Sequence, residues 1–583
     1  MDADTFYLTI NLFFVFISVF LITIRKTRAC DSFIICNNTR YQDIDYQSAF
    51  LNSFNPACIV NFYRCAVLFL FCITVFTSVY KVGLVPYGLH VDEAGMAYDA
   101  LSIANYGVDR YLNPYPVYFI NYGGGQSAMY TYLAAFLVKI FGYSVICIRL
   151  PAIILRLITF VVIYYIIRIE YKDDSVRTLI FLLILAVCPY FIMQSRWGLD
   201  CNLLVHFLTI SVGILTTAVH HSSTKLYLLS GFSFGLTLYT YALSYIIIPA
   251  FLLLTLSYLL LVKRINKNQV LMVMIPVFLI AIPLMVMILV NKGIIPEYRG
   301  LFTIPLLHLY REGEISLNHI PENLYIILTL ISFDNPNVFG RQLFYNAIPY
   351  FGTMYYFAVP FFVIGIISSF KICSHSIKCR EFNINTIFVS WFLSVLVCQL
   401  LILEPNINKA NAAFIPIIFF ITEGIVIIAQ RTKTIIIGIV ILYLLNFFLF
   451  FNYYYFQYNL DSKCLIGFPT DYIDAVYYSK NLNSKKIVIL NNIAAAPYIY
   501  VLLANQVSPY CFRKNNIKID CNNFHSSYYF CSAKDIETDS LFLFKSDKAD
   551  TAYIVFNDTY WNQWFKRMGY KNKAFGNVGI FYK

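Results

Sequence analysis

Two short acidic motifs interrupt an otherwise greasy chain. The first is Asp92-Glu93, near the start of the polar stretch His90 to Gln126 (HVDEAGMAYDALSIANYGVDRYLNPYPVYFINYGGGQ). The second is Asp200 in SRWGLD, four residues after Arg196. A carboxylate within hydrogen-bond reach of a hydroxyl can take its proton, so these acids suit general-base work. Two carboxylates on outer loops equally suit a hard divalent cation such as Mg or Mn, with Asp92 and Asp200 as its ligands. Ionised groups beside a bilayer are costly unless something uses or pairs them, which makes each motif a functional-site hypothesis. The plainer readings are first-turn acids facing a helix dipole and an Arg–Asp pair at a helix end. Ala94, Ala97, Leu101 and Ala104 form an apolar stripe behind Asp92, the pattern of a short helix lying on the membrane surface.

The elements that must hold these acids are membrane spans. The chain has 583 residues, 59% hydrophobic and 18% aromatic, with 13% charged. That composition excludes a soluble globular protein, and it gives the net charge of +12 a meaning in cytoplasmic loops and lipid head groups, not nucleic acid. Twelve apolar runs are long enough to span: 6–24, 62–82, 144–167, 178–194, 201–219, 226–243, 245–262, 270–290, 351–370, 384–403, 411–429 and 434–452. One alternating set of connections carries 17 basic residues and the other 8, which puts the first set in the cytoplasm. Residues 83–143, 195–200, 291–350, 404–410 and everything after 452 are then extracytoplasmic, at a bacterial plasma membrane. Ala128 to Phe141 is short for a span and is assigned to the outer surface as an interfacial or re-entrant helix.

The expected architecture is mainly α: a polytopic membrane protein of about 12 transmembrane helices with a small extracytoplasmic α/β domain. Residues 1–61 form a first helix and cytoplasmic linker, 62–452 the transmembrane core, and 453–583 the outer domain. In that domain β-rich runs such as Lys486–Leu490 and Ala552–Phe556 alternate with helical patterns such as Asp471–Leu482 and Trp561–Met568, and the end of the chain reads as strand, helix, strand. Cys464, Cys511, Cys521 and Cys531 are disulfide candidates there. The polar groups gather in outer-face loops and not at span centres, which argues against a secondary transporter.

Three stretches resemble one family. VDEAGMAYDALSIANYGVDRYLNPYPVYF, YGGGQSAMYTYLAAFLVKIFGYSVICIRLPA and CPYFIMQSRWGLDCNLLVHFLTISVGI, in that order, are similar to the dolichyl-phosphate-mannose mannosyltransferase-like (PMT-like) enzymes of the GT-C fold, relatives of the lipid A aminoarabinose transferase. The resemblance covers residues 62–245 well and is looser over 336–370 and 405–424. It implies a glycosyltransferase that moves a sugar from a polyprenyl-phosphate carrier to an acceptor hydroxyl of an envelope glycan, lipid or protein. Asp92 then falls on the first-loop acid, with Glu93 beside it, and Asp200 on the second-loop acid. An inverting displacement needs a base, for which Asp92 is chosen, and cations for the departing phosphate, for which Arg110, Arg196, Arg341 and Lys409 are candidates. Gln126, Tyr122 and Tyr130 suit a sugar pocket, although single tyrosines serve equally as interfacial anchors. GGGQSAMY stands where relatives carry a Lys/His–Pro–Pro–Leu element. Arg149 and Arg156 read as snorkelling or helix-pairing residues. Two other classes fit the same features: a transporter or flippase of lipid-linked glycans, and a non-catalytic envelope assembly protein.

Overall fold

The computed structural model describes residues 13–19, 56–172, 174–310, 314–334, 337–338, 341–342, 344–348, 350–431, 434–461, 464, 467–482, 484–512, 518–519, 527–538 and 550–583. Most of the first apolar run and the linker after it lie outside these residues.

The first described span is α1 (Pro56–Val79). The loop that follows opens with α2 (Val91–Tyr106), whose cap is His90: its Nδ1 accepts the Asp92 amide, and the helix closes on Gly107 at φ 72°. A hairpin comes next, β1 (Tyr118–Asn121) and β2 (Gly124–Ser127). Its two turn residues, Tyr122 and Gly123, both have positive φ, 49° and 87°. Paired left-handed residues match the twist of the strands they join, and here they fix Asn121 opposite Gly124.

The chain then runs through α3 (Ala128–Phe141), α4 (Val145–Tyr171), α5 (Ser175–Val187), α6 (Pro189–Gln194), α7 (Leu204–His221), α8 (Thr224–Thr237), α9 (Ser244–Leu261) and α10 (Lys267–Asn291). Two small hairpins, β3 (Tyr298–Arg299) with β4 (Thr303–Ile304) and, after α11 (Ile320–Ile331), β5 (Asn337–Val338) with β6 (Arg341–Gln342), occupy the second long loop. The spans finish with α12 (Val359–Cys379), α13 (Ile384–Leu401), α14 (Phe414–Arg431) and α15 (Thr434–Phe456).

Among the described residues nine helices are long and apolar enough to cross a membrane. They account for nine of the twelve expected runs, and the other three differ for separate reasons. Run 6–24 is described only at 13–19. Run 178–194 breaks at Cys188, whose extended backbone (ψ 141°) is what a following proline imposes. Run 226–243 is helical only to Thr237, a 14-residue helix. The expected interfacial helix α3 also has 14 residues, about 21 Å of rise against a hydrocarbon core near 30 Å. Close helix contacts are made at glycine: a Cβ on Gly365 of α12 or Gly424 of α14 would overlap the other helix's main chain, at Phe420 O and Phe361 O. Small residues that let backbones approach are how spans associate when lipid is as apolar as the helix surface.

The last part of the chain folds as α16 (Thr470–Ser479), β7 (Lys486–Leu490), α17 (Tyr498–Ala504), α18 (Pro509–Phe512), β8 (Lys518–Ile519), β9 (Ser527–Cys531), α19 (Ala533–Thr538), β10 (Thr551–Phe556), α20 (Thr559–Arg567), β11 (Lys571–Phe575) and β12 (Val578–Tyr582). The sheet order is β11-β12-β10-β7-β9-β8, with β10, β7 and β9 parallel. The expected strand–helix alternation is present, but the chain closes on a hairpin of two strands, not one. Cys464, Cys511 and Cys531 are free thiols, and Cys521 lies outside the described residues.

This α/β unit is seated on the first loop. Tyr98 Oη donates to Val507 O at 2.8 Å, Tyr500 Oη to Leu89 O at 3.2 Å, and Tyr87 Oη to Asp474 at 2.8 Å. As a result α2 is not a surface helix: residues 93–103 are all buried, between α3 on one side and α17 on the other.

Candidate active site

Adjacent residues on a helix point about 100° apart, so Asp92 and Glu93 face different neighbours. Glu93 is fully buried. Its oxygens take Arg149 Nε at 2.9 Å and Nη2 at 3.1 Å, and its Oε1 also accepts the Gly198 amide at 2.7 Å. Arg149 spends its remaining donors on the carbonyls of Val82, Pro86 and Gly88. This pair therefore ties α4, the start of the first loop and the Arg196–Asp200 loop together, and Glu93 has no oxygen turned to a substrate. Of the two readings given to Arg149, these bonds fit helix pairing and not snorkelling.

Asp92 is the opposite case, with its side chain 39% exposed. Asn121 Nδ2 donates to its Oδ1 at 3.3 Å, and His90 Nδ1 stands 3.6 Å from its Oδ2. Burial lowers the pKa of His90, against the pull of Asp92 and Glu93, which favours the neutral ring that accepts the Asp92 amide. Around His90 the rings of Trp197, Tyr345 and Phe468 lie 5.1, 4.8 and 6.1 Å away, so the 195–200 loop, the second long loop and the linker to the α/β unit converge here. Tyr345 is pushed up to about 12 by burial and by the charge of Asp92. None of these rings was singled out from sequence; His90 and Trp197 lay inside the quoted motifs, but Tyr345 and Phe468 carried no signal.

Asp200 meets the same place from the other side. Its Oδ2 accepts the Ser127 amide at 3.0 Å and its Oδ1 the Cys201 amide at 2.8 Å. The first bond clamps the end of the hairpin, and the charge of Asp92 reaches Asp200 and Cys201. Asn411, from the 404–413 connection, donates to Cys201 O at 2.6 Å. Asp92, Asp200 and the 404–413 loop therefore share one face of the protein.

The expected cations are mostly committed elsewhere. Arg110 is buried and grips Asp99, Nη2 to Oδ2 at 2.7 Å and Nε to Oδ1 at 3.0 Å, with its guanidinium 5.5 Å from the Tyr122 ring. Burial alone would depress its pKa; the Asp99 charge and hydrogen bonds hold it above the ordinary value. Arg196 is buried against the end of α1: it donates to Thr77 O at 2.9 Å, Ser78 O at 3.1 Å and Val85 O at 3.1 Å, and stacks on Tyr455. A cation on orphan last-turn carbonyls complements the helix dipole, so Arg196 caps α1, while its Nη2 is buried without a hydrogen-bond partner. Arg156 holds Thr77 and Ser78 hydroxyls and Ala186 O in the same region. Lys409 Nζ donates to Leu403 O at 2.6 Å. Arg341 is on β6, three residues before Phe344 and four before Tyr345, and its side chain lies outside the described residues.

Of the expected sugar contacts, Tyr122 Oη donates to Val91 O at 2.7 Å and Tyr130 Oη to Ile148 O at 3.1 Å, so Tyr130 is a buried packing residue. Gln126 is buried on β2, with its Oε1 unpartnered. One residue beyond Ser127 a groove begins. It has a volume of about 440 Å³ and is walled by Ala128, Met129, Leu236, Tyr239, Ile280 and Pro283, among others. Among the described residues no three or more His, Cys, Asp or Glu side chains are grouped to hold a metal ion. Both Asp200 oxygens are already taken by amides.

Residues 126–288 match the family described as dolichyl-phosphate-mannose-protein mannosyltransferase. Among solved structures the chain is similar to ArnT from Cupriavidus metallidurans bound to undecaprenyl phosphate, with 10% identity, 90% of this chain and 98% of that chain covered, and a TM-score of 0.51. It also matches the archaeal oligosaccharyltransferase AglB from Archaeoglobus fulgidus, in complex with an inhibitory peptide and a dolichol-phosphate, at 11% identity over 87% of this chain and 71% of that one, with a TM-score of 0.48. No curated protein matches the sequence. The family match falls on one segment of the spans, and the chain as a whole shares the fold of ArnT.

Proposed function

We propose that this protein transfers a sugar from a polyprenyl-phosphate carrier to an acceptor hydroxyl, with inversion, and that Asp92 is the general base. The acceptor oxygen attacks the anomeric carbon, its proton passes to Asp92, and the bond from that carbon to the phosphate oxygen breaks to release polyprenyl phosphate. The observation that carries this reading is the convergence of a half-exposed Asp92 with Asp200, whose Oδ2 holds the Ser127 amide next to the apolar groove that begins at Ala128. Asp200 acts here as a positioning residue, since its oxygens hold the Ser127 and Cys201 amides. Glu93 shapes the site through Arg149. The groove beginning at Ala128 suits a prenyl tail: its walls are α3, α8 and α10, and α10 is one of the span-length helices. For the departing phosphate we assign Arg341, because its chain segment leads directly to Tyr345, where the charge of Asp92 is felt. The acceptor is an envelope glycan, lipid or protein, and the reaction face is extracytoplasmic.

The test uses the full-length protein in detergent, a series of polyprenyl-phosphate sugars, and an envelope fraction as acceptor, with products followed by mass spectrometry. D92N should lose about 10²- to 10⁴-fold in turnover, the usual worth of a general base, with an unchanged melting temperature. A D92N protein with wild-type turnover overturns the base assignment. If wild-type protein forms no covalent product but carries lipid-linked glycan across a vesicle membrane, the chain is a flippase.

A further inference from the structure

We infer that Asn121 is the positioning residue that aims Asp92 at the acceptor. This rests on the reading of Asp92 given above. Among the described residues Asn121 is the one side chain that donates a hydrogen bond to Asp92, Nδ2 to Oδ1 at 3.3 Å. Turned the other way, the amide would set its carbonyl oxygen against a carboxylate, two acceptors face to face, so Asp92 selects the NH₂ end. The oxygen end is buried without a hydrogen-bond partner and points back at α2. A Cβ on Gly95 would lie 2.6 Å from Asn121 Oδ1 and 2.7 Å from Arg110 Nη2. Asn121 Oδ1 and Arg110 Nη2 therefore both border the open space over Gly95, while the Asn121 nitrogen end faces the Asp92 carboxylate.

Two pairs, Asp99–Arg110 and Asn121–Asp92, thus sit side by side over Gly95. Three helix positions make it possible: Asp92, Gly95 and Asp99, spaced three and four apart, share one face of α2. Gly95 is small where Asn121 and Arg110 must approach, and the left-handed turn at Tyr122–Gly123 fixes Asn121 at the end of β1. Nothing in the sequence alone links Asn121 to Asp92, 29 residues away.

The other charged or titratable groups that act with Asp92 are His90 from its own cap, Tyr122 from the hairpin, Asp200 and Cys201 before α7, Tyr345 from the second loop and Tyr500 from α17. Apart from Asn121, none of them gives its side chain to Asp92 as a hydrogen-bond donor among the described residues, so removing the Asn121 amide leaves the carboxylate aimed by nothing else.

The experiment measures turnover of a polyprenyl-phosphate sugar by the full-length protein between about pH 5 and pH 9, for wild type, N121A, N121D, G95A and D92N. A hydrogen bond to a charged group is worth roughly ten- to a hundredfold. N121A should lose that much in kcat with the donor KM within about twofold of wild type, and the acid limb of its rate profile should move to higher pH. N121D, nearly isosteric, replaces the donor with a second acid and should shift the limb further; it decides the matter if N121A does not fold. G95A keeps every hydrogen-bonding group but crowds Asn121 and Arg110, and should move the limb in the same direction. Wild-type kcat and an unmoved limb in N121A and N121D, beside an inactive D92N, overturn the role of Asn121. A fully active D92N overturns the base assignment instead, whatever the Asn121 variants do.

Discussion

Asp109 shows what the first loop gives up to hold its shape. Its Oδ1 accepts the Tyr111 and Asn113 amides, both at 2.8 Å, and its Oδ2 accepts Asn113 Nδ2 at 3.1 Å, which folds the turn that delivers Arg110 to Asp99. Burial, and then the nearby charge of Asp99, push the Asp109 carboxyl up to about 6. An acid whose pKa is raised by folding keeps a proton that the unfolded chain has lost, so stability falls as pH rises from 3.8 to about 6 and the loss is complete above that window. D109N removes the charge while Oδ1 keeps both backbone bonds, and the unpartnered Asn113 Oδ1 can take the new amide after a flip. D109N should therefore match wild type near pH 3.5 and be more stable by about 2–3 kcal/mol at pH 7.5, read from melting at the two pH values. A variant less stable than wild type at pH 7.5 would show that the ionised carboxylate is needed. At this scale the sequence was partly legible. It picked out the acids and arginines by type, but not their partners: Glu93 read as a catalytic acid, and Arg110 and Arg196 as substrate contacts, because composition does not reveal that they bond Arg149, Asp99 and the end of α1.

At the scale of elements, hydropathy marked greasy stretches well and backbone geometry poorly. It found nine spans, eight of them within about five residues and the run 351–370 displaced to Tyr356–Cys379, yet read through Cys188–Pro189, where the proline was visible in the sequence and the break it enforces was not counted. It also laid α2 on the membrane, because an apolar stripe says that a face is covered without saying by what; α3 and α17 cover it. The glycines that set helix spacing were silent for the same reason. Gly365 and Gly424 lie on facing helices, and each has the partner's backbone where a side chain would begin. G365A or G424A cannot be absorbed by rotating a side chain, so α12 and α14 must separate. Each should abolish a monodisperse peak in detergent, or cost several kcal/mol in unfolding by denaturant, as overpacking of rigid contacts does. G83A is the control, since its added methyl meets only Ile146 Cγ1 at 3.8 Å and should behave as wild type. Equal behaviour of all three variants would mean that the crossing is looser than its geometry.

For the whole molecule, one side of the protein holds nearly everything that could react. The Ser127–Asp200 bond, the Asn411–Cys201 bond and the seating of the α/β unit on α2 put the first loop, the 195–200 loop, the 404–413 loop and the described residues of the α/β unit on a common face. That outcome depended on one sequence decision, leaving Ala128–Phe141 out of the spans, since counting it would have separated Asp92 from Asp200. Which face looks outward is a separate question, for which the bias of Lys and Arg towards the opposite connections gives the expectation. The molecule supplies its own test. Lys571 is exposed on the edge strand β11 of the α/β unit, and the natural Cys379 is exposed at the far end of α12, on the opposite face. In right-side-out vesicles a membrane-impermeant maleimide should label K571C beyond the wild-type background and leave Cys379 unlabelled; in inverted vesicles the pattern should reverse. Because the α/β unit and Asp92 share a face, K571C reports the side on which sugar transfer occurs. Labelling of K571C only in inverted vesicles would place the reaction in the cytoplasm and require a cytoplasmic acceptor.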